Sequence, residues 1–379
     1  MKLVIVRLWL LTVASCLTFF ARAETGVSEK AIVLGQSIAL TGVMGELGKE
    51  YLAGAQIYFS NVNDLGGVAG RKVTLISLDD KYDEPTAIEN TGRLVGQESV
   101  FAIFGQFGTG ITLGSLPLTT KVGIPLFAPY TGADALRDSE NRYLFHIRAS
   151  YGAEAEKLIQ HLVTTGVTKI AVIHQNDPFG RAGLEVANAA LSKHGLKPVA
   201  IGAIDVTPAV QVEKAVSLVS KAQPMAILMI AAGKGAVAFI EEYQRTGEFT
   251  QFLGLSVVSS HQLIQEVGAS AHGVVISQVM PSPWRSIYPV VREYQRLFPR
   301  EKGKNYSYAS LEGFIAAKVI VEALKRTGKE LTRERFITAL ESLRNYDVGG
   351  LTLEYGPKKR SGSTYVDLTI VGRDGSFVR

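Results

Sequence analysis

The 379-residue chain contains one cysteine, Cys16, which excludes a disulfide framework. Its folded state must rest on core burial. The six histidines, His146, His161, His174, His194, His261 and His272, form no pair at metal-binding spacing. No G-x-G-x-x-G follows the first apolar run, and "GTGITLG" at 108–114 has the wrong spacing for a dinucleotide loop. No G-x-S-x-G elbow is present either, since "GLSVV" lacks the second glycine. These absences disfavour an oxidoreductase, a metalloenzyme and a serine hydrolase. Charge is scarce as well. Charged residues are 20% of the chain, and the net +5 falls to +2 without Lys2, Arg7 and Arg22. Such a small, scattered surplus does not point to nucleic acid.

Beyond the N-terminus no run of 18 apolar residues occurs. The N-terminus itself, "MKLVIVRLWLLTVASCLTFFARA", has basic residues, an apolar stretch from Leu8 to Phe20 and Ala-Arg-Ala at 21–23. It reads as a secretory signal over residues 1–23, cleaved after Ala23. The apolar stretch falls short of the roughly 20 residues needed to span a bilayer. A second processing route is lipidation of Cys16, which closes the box-like "VASC".

What the sequence does have is apolar content, 46%, and rhythm. Strand patterns at 31–40, 72–78, 101–105, 124–129, 169–175, 197–205, 225–231, 251–258 and 273–280 alternate with helical spacing between them. Further helical stretches are expected at 286–298, 307–326 and 332–343. A β-rich tail follows, with Asp374-Gly375 as a hairpin turn packing on the second lobe. Alternating strands and helices predict parallel sheets covered on both faces. The length and the restart of the rhythm near residue 150 predict two α/β lobes.

The stretch "LGGVAGRKVTLISLDDKYDEP" at 65–85 needs a decision. A phosphate loop runs from strand to helix and ends in Lys-Ser/Thr. Here a helix precedes, a strand follows, and Val73 replaces the hydroxyl. Gly66 and Gly67 therefore read as a helix C-cap, and Pro85 as a helix start. Asp79 and Asp80 are adjacent on a strand and point to opposite sides, so they make no paired metal site.

The longer stretch that contains it, residues 40–88, resembles the periplasmic solute-binding proteins of the leucine/isoleucine/valine-binding type. The shared segments are Thr41, Gly42 and Gly48; then Asn63, Gly66, Gly67, Gly70 and Arg71; then Asp79, Asp80, Pro85 and Ala87. "VIHQNDPFGRAG" (172–183) and "SYASLEGFIAAKVIVEAL" (307–324) look like later blocks of that family. The resemblance implies an α/β fold of two Rossmann-like lobes, parallel sheets flanked by helices, three interlobe crossovers and a ligand cleft between the lobes. Crossovers fall near residues 148, 278 and 363. Lobe 1 is then 30–148 plus 278–362, and lobe 2 is 149–277 plus 363–379. It also implies a monomeric, periplasmic, non-enzymatic component of an ABC importer, with no cofactor. Its partners would be a small molecule and the permease subunits of the inner membrane. The alternative is a sensor, or a binder of amides or urea-like solutes, acting with a regulatory partner.

Ligands of open α/β sheets sit beyond the carboxyl ends of the strands. In lobe 1 that places Gln106, Phe107, Gly108 and Thr109 at a glycine loop opening a helix, where backbone N–H groups suit a carboxylate. Thr109 either adds its hydroxyl to the ligand or caps the helix. Phe107 is expected as a pocket wall, Tyr130 and Thr131 as facing the cleft, and Asp134 as the cap of the short helix after it. In lobe 2, Asp177 and Pro178 read as helix cap and first residue, Phe179 occupies a family aromatic contact position, and Tyr151 follows the first crossover. The resemblance also exposes departures. Ser256 stands where amino-acid binders place a glutamate for the ligand's ammonium, Gly132 where they place a threonine, and Leu47 where they place an aromatic. Burying an ammonium without an anionic partner is costly. An acid lacking the amine, an aromatic acid, an amide or a urea-like solute fits as well as an amino acid.

Overall fold

The computed structural model describes residues 24–137, 140–206, 209–259, 262–299 and 305–378. The signal segment 1–23, the lipidation reading of Cys16 and His261 lie outside them.

The first sheet holds five parallel strands: β1 (Ala31–Ile38), β2 (Lys72–Asp79), β3 (Ala102–Phe104), β4 (Leu126–Phe127) and β5 (Leu144–Phe145). Their spatial order is β2-β1-β3-β4-β5. The second sheet repeats that order with β6 (Ile170–Gln175), β7 (Ile201–Ile204), β8 (Ala226–Ile230), β9 (Gln251–Gly254) and β10 (Val275–Gln278), running β7-β6-β8-β9-β10. The central strands are apolar throughout because helices cover both faces; every residue of β8 is buried. The tail adds β13 (Asp367–Val371) and β14 (Phe377–Val378), antiparallel, beside β10. β11 (Tyr346–Asp347) and β12 (Thr352–Leu353) form a small separate pair. Both sheets are therefore parallel at heart, and the tail hairpin sits on the second lobe's sheet, with Gly375 left-handed in its turn.

Helices α1 (Gly45–Asp64), α2 (Glu84–Gly96) and α3 (Thr109–Lys121) link the strands of the first lobe. Helices α4 (Tyr151–Thr164), α5 (Pro178–Lys193), α6 (Glu213–Lys221) and α7 (Gly233–Gln244) do so in the second. The chain then returns through α8 (Pro289–Leu297), α9 (Tyr308–Thr327) and α10 (Arg333–Glu341). α9 lies directly on α1. Their approach is so close that a Cβ on Gly54 would stand 1.7 Å from the Ser310 carbonyl oxygen, and one on Gly313 2.0 Å from that of Tyr51. One apolar core runs through the first lobe and on to the facing side of the second.

The turn reading of 65–85 holds in detail. Gly66 and Gly67 are left-handed just past α1, and the Gly67 N–H donates to the Val62 carbonyl. Asp83 caps α2 through the Thr86 N–H, with Pro85 in its first turn.

Three expectations shift. The expected strand 251–258 stops at Gly254, because Leu255–Val258 closes a turn with the Val258 N–H donating to Leu255 O. α3 begins at Thr109, ahead of the helical spacing that "TLGSLPLTTKVG" shows from Thr112, since Gly108 at φ +108° supplies the break. β5 is an additional strand, only two residues long, which is too short to leave a period-2 pattern.

Candidate ligand-binding site

Equal strand orders create equal switch points, where the chain leaves neighbouring central strands in opposite directions. In the first lobe the switch lies between β1 and β3, and in the second between β6 and β8. The residues that follow those strands meet in one interlobe pocket. Met44, Phe107, Gly108, Thr109, Tyr130 and Tyr82 come from the first lobe's loops. Tyr151, Phe179, Ala232 and Val257 come from the second. The space among them is about 240 Å³, part of it open to solvent.

The geometry is set locally. The Tyr130 N–H donates to Gln106 O, and the Gly108 N–H to Tyr130 O, so the loops after β3 and β4 run side by side. This stacks the Phe107 and Tyr130 rings 4.5 Å apart at 7°. Gly108 precedes α3 with no side-chain cap, leaving first-turn N–H groups for a ligand. A Cβ there would come within 2.8 Å of the Tyr82 ring, so glycine is needed for space as well as for its left-handed φ. Thr109 does not cap the helix; its hydroxyl lies 2.7 Å from that of Thr131. In the second lobe the Phe179 and Tyr151 rings meet edge to face at 5.3 Å. Asp177 caps α5 by accepting from Gly180 N, with Pro178 first in the helix.

Asp79 and Asp80 take on a definite task. Lys81 and Tyr82 are consecutive left-handed residues (φ +56° and +64°), a conformation that costs of order 1–3 kcal/mol each. Asp79 accepts from the Lys81 N–H at 3.0 Å, and Asp80 from the Tyr82 N–H at 2.9 Å. The turn lays Tyr82 over Gly108, and its hydroxyl donates to Asp177 across the cleft at 3.3 Å. Burial pushes the Asp80 carboxyl up to about 6, against the opposing hydrogen bonds from Ser37 and Tyr82.

Other expected residues sit elsewhere. Gln106 is fully buried, and its amide donates to Thr91 (3.0 Å) and Ser115 (2.8 Å), away from this pocket. Gly132 packs against Tyr151 and accepts from its N–H. Leu47 is buried in the core, and the sulfur-bearing Met44 reaches the pocket instead. Asp134 corrects its expectation. It is the first residue of the short 3-10 turn it was expected to cap, and its carboxylate accepts from the Gly152 N–H at the start of α4, 3.0 Å away.

Ser256 belongs to a buried ionic cluster behind Tyr130. Arg148, fully buried, donates to the Ser256 hydroxyl and lies 3.5 Å from Glu312 on α9. Its guanidinium sits 4.5 Å from the Tyr130 ring centroid, so Phe107 and Arg148 sandwich that ring. Glu154 accepts from Ser256 N (2.7 Å), Ser256 Oγ (3.1 Å) and Ser277 Oγ (2.7 Å). Burial raises the Glu312 carboxyl to about 7, although Arg148 pulls it down. Burial likewise drives the Tyr82, Tyr130 and Tyr151 hydroxyls upward, so all three are neutral donors in the pocket. No acid is among the residues lining the pocket, and the nearby carboxylates already have partners: Asp177 accepts from Tyr82 and Gly180, Glu154 from Ser256, and Glu312 faces Arg148. Among the described residues no group of three or more His, Cys, Asp or Glu is placed to hold a metal ion, and no helix is long and apolar enough to cross a membrane.

Two α/β lobes with equal strand orders, meeting at a pocket beside both switch points, define a type I periplasmic binding protein. A family profile described as "Periplasmic binding protein" matches residues 31–375, and the chain belongs to that family, in its Leu/Ile/Val-binding type. Among solved structures, a substrate-binding periplasmic protein from Ralstonia solanacearum is 32% identical with a TM-score of 0.86, covering 92% of this chain and 99% of that one. Among curated relatives, the Leu/Ile/Val-binding protein homolog 7 of Brucella abortus is 25% identical over 315 residues, 78% of this chain and 77% of its own. An amino acid binding protein of Pseudomonas aeruginosa is 25% identical over 169 residues, and the match spans less than half of either protein: 44% of this chain and 45% of that one. At fold level alone, a fatty acid ABC transporter substrate-binding protein from Thermomonospora curvata (21% identical, TM-score 0.85, covering 94% of each chain) is also alike. So is a branched chain amino acid ABC transporter protein from Thermus thermophilus with bound valine (20%, TM-score 0.82, covering 93% of this chain and 96% of that one).

Proposed function

We propose that this chain is the periplasmic solute-binding component of an ABC importer, and that it captures a small aliphatic or aromatic acid that lacks an α-ammonium group. The lobes divide near residues 148, 278 and 363 and hinge shut on the ligand. The carboxylate meets the first-turn N–H groups of α3 and the Thr109–Thr131 hydroxyl pair; the apolar body lies among Phe107, Tyr130, Tyr151 and Phe179.

One observation carries the ligand class: the pocket lining has no acidic side chain, and the position behind it is held by Arg148, already positive. A ligand ammonium entering there would lose its hydration with no free anion to replace it. Within this fold the ligand is open, since a valine-bound protein and a fatty acid transporter component share it.

Calorimetric titration of phenylacetate and 4-methyl-2-oxopentanoate tests the capture step. Saturable binding to the wild type that weakens in Thr109→Val and in Phe179→Ala supports the site; binding untouched by both variants refutes it. Loss of uptake of the same labelled acid in cells lacking the gene tests the importer assignment. A sensor would bind in vitro and leave uptake unchanged.

A further inference from the structure

The lobes meet beside the cleft through bare backbone as well as through Tyr82. The start of α7 lies on the short turn Gly42–Met44 of the first lobe. A Cβ on Gly233 would stand 2.6 Å from the Val43 carbonyl oxygen and 2.9 Å from the Met44 sulfur. Gly233 is also left-handed, at φ +51°. α3 packs on α5 from the other side. A Cβ on Gly110 would stand 3.0 Å from Cγ of Pro178, and 2.8 Å from the flexible carboxylate end of Glu84. In the second lobe the two contact points are tied together. Gln175, fully buried, accepts from the Ala232 N–H at 2.8 Å and donates to Asp177 at 2.9 Å. Both contacts adjoin the pocket, because Met44, Ala232 and Thr109 line it.

We propose that Gly233 and Gly110 are specificity-determining residues of the cleft. Having no side chains, they let the lobes close to one fixed spacing, and that spacing limits the length of acid the pocket takes. The inference rests on the capture of an acid by lobe closure proposed above. Val43 O belongs to the backbone and cannot turn aside, so a methyl group at position 233 is accommodated by lobes that stand apart. The closed state then becomes rarer, and the affinity of a compact acid falls with the fraction closed. A longer acid, which the fixed spacing excludes, gains relative to the compact one.

Small-angle scattering and calorimetry on Gly233→Ala, Gly110→Ala and Gly247→Ala test this, on protein freed of bound ligand by unfolding and refolding. Gly247 is the control for backbone strain, since its φ is +75° and nothing lies within 4 Å of its Cβ position. Unliganded Gly233→Ala should scatter as a more open molecule than the wild type, and Gly247→Ala should match the wild type. Gly110→Ala should open in the same direction by less. Alanine suits its helical backbone, so it keeps the test valid if Gly233→Ala fails to fold. Phenylacetate and 4-phenylbutanoate are the calorimetric probes. In Gly233→Ala the ratio of their affinities should move by about tenfold toward the longer acid, whereas a merely destabilised lobe would weaken both alike. Scattering equal to the wild type in both Gly233→Ala and Gly110→Ala would overturn the proposal. So would opening in Gly247→Ala to the same extent, or an unchanged affinity ratio. If neither acid binds the wild type, the acid reading fails, and scattering alone still decides whether these glycines set the closed spacing.

Discussion

Replacing Arg148 with methionine probes the ionic cluster that joins the two lobes behind the pocket. Arg148 is fully buried, donates to Ser256, and faces Glu312 at 3.5 Å. Removing one member of a buried pair costs about 3–5 kcal/mol, because the other charge stays buried and unpaired. For a chain of roughly 350 ordered residues the unfolding entropy is about 0.7 kcal/mol/K, so the melting midpoint should fall by about 4–7 °C. The loss must depend on pH. Glu312 has its carboxyl raised to about 7 even with Arg148 beside it, first by burial. Without Arg148 it rises further. A carboxyl whose folded pKa lies above the unfolded value favours folding below the unfolded value and loses that contribution as pH rises through the folded one. The full deficit should therefore appear at pH 8. At pH 5 Glu312 is protonated in both proteins, and only the lost Ser256 hydrogen bond and ring stacking remain, about 1–2 kcal/mol. Thermal unfolding at both pH values measures this. Equal deficits at pH 5 and pH 8, or a shift under about 1 °C at pH 8, would refute the charge argument.

Thr109→Val should weaken the captured acid about tenfold or more by calorimetry, with little change in the unliganded midpoint, because it removes one hydrogen bond to a charged ligand. Glu312→Gln should gain stability over the wild type as pH rises from about 4 to 7, by up to about 3 kcal/mol, because the raised carboxyl no longer has to ionise; a pH-independent difference in thermal midpoint would count against it. Gly54→Ala should destabilise by about 3 kcal/mol or more, since its Cβ would stand 1.7 Å from Ser310 O and force α1 from α9. Tyr82→Phe removes the hydroxyl that reaches Asp177 across the cleft, so small-angle scattering should show a more open unliganded protein, and affinity should fall a few fold.

The two lobes are legible in the sequence because strands buried on both faces are continuous apolar runs and the linking helices keep their own period. Turn chemistry is equally local, so the Gly66-Gly67 cap, the Asp177-Pro178 helix start and the tail hairpin can be read directly. Within the site, Phe107, Gly108, Thr109, Tyr130, Tyr151 and Phe179 are reachable because each follows a strand end or opens a helix. The residues that were not legible act through distant partners. Arg148 lies in "HIRAS", which looks like an ordinary loop; its partners Ser256 and Glu312 are brought to it only by the assembled lobes. Tyr82 enters the pocket through a left-handed turn that β- and α-type periodicity cannot register. Gln106 sits beside three pocket residues in sequence, but alternation along the extended chain sends its side chain to Thr91 and Ser115. Asp134 holds α4 rather than its own short helix, a contact between segments that no local motif encodes.

The central claim is that the cleft selects a carboxylate without an ammonium. The most direct measurement is a thermal-shift panel on protein freed of bound ligand by unfolding and refolding. It pairs leucine and valine with their 2-oxo acids, and adds phenylacetate, benzoate and the matching amides. A true ligand at 100 times its dissociation constant stabilises by about 2.7 kcal/mol, which is readily seen. Shifts with one or more of the acids, absent with leucine and valine and removed by Thr109→Val, are the expected result. A shift with leucine or valine that Thr109→Val removes would contradict the claim, and would mean that Glu154 leaves Ser256, or Glu312 leaves Arg148, to meet the ligand's ammonium.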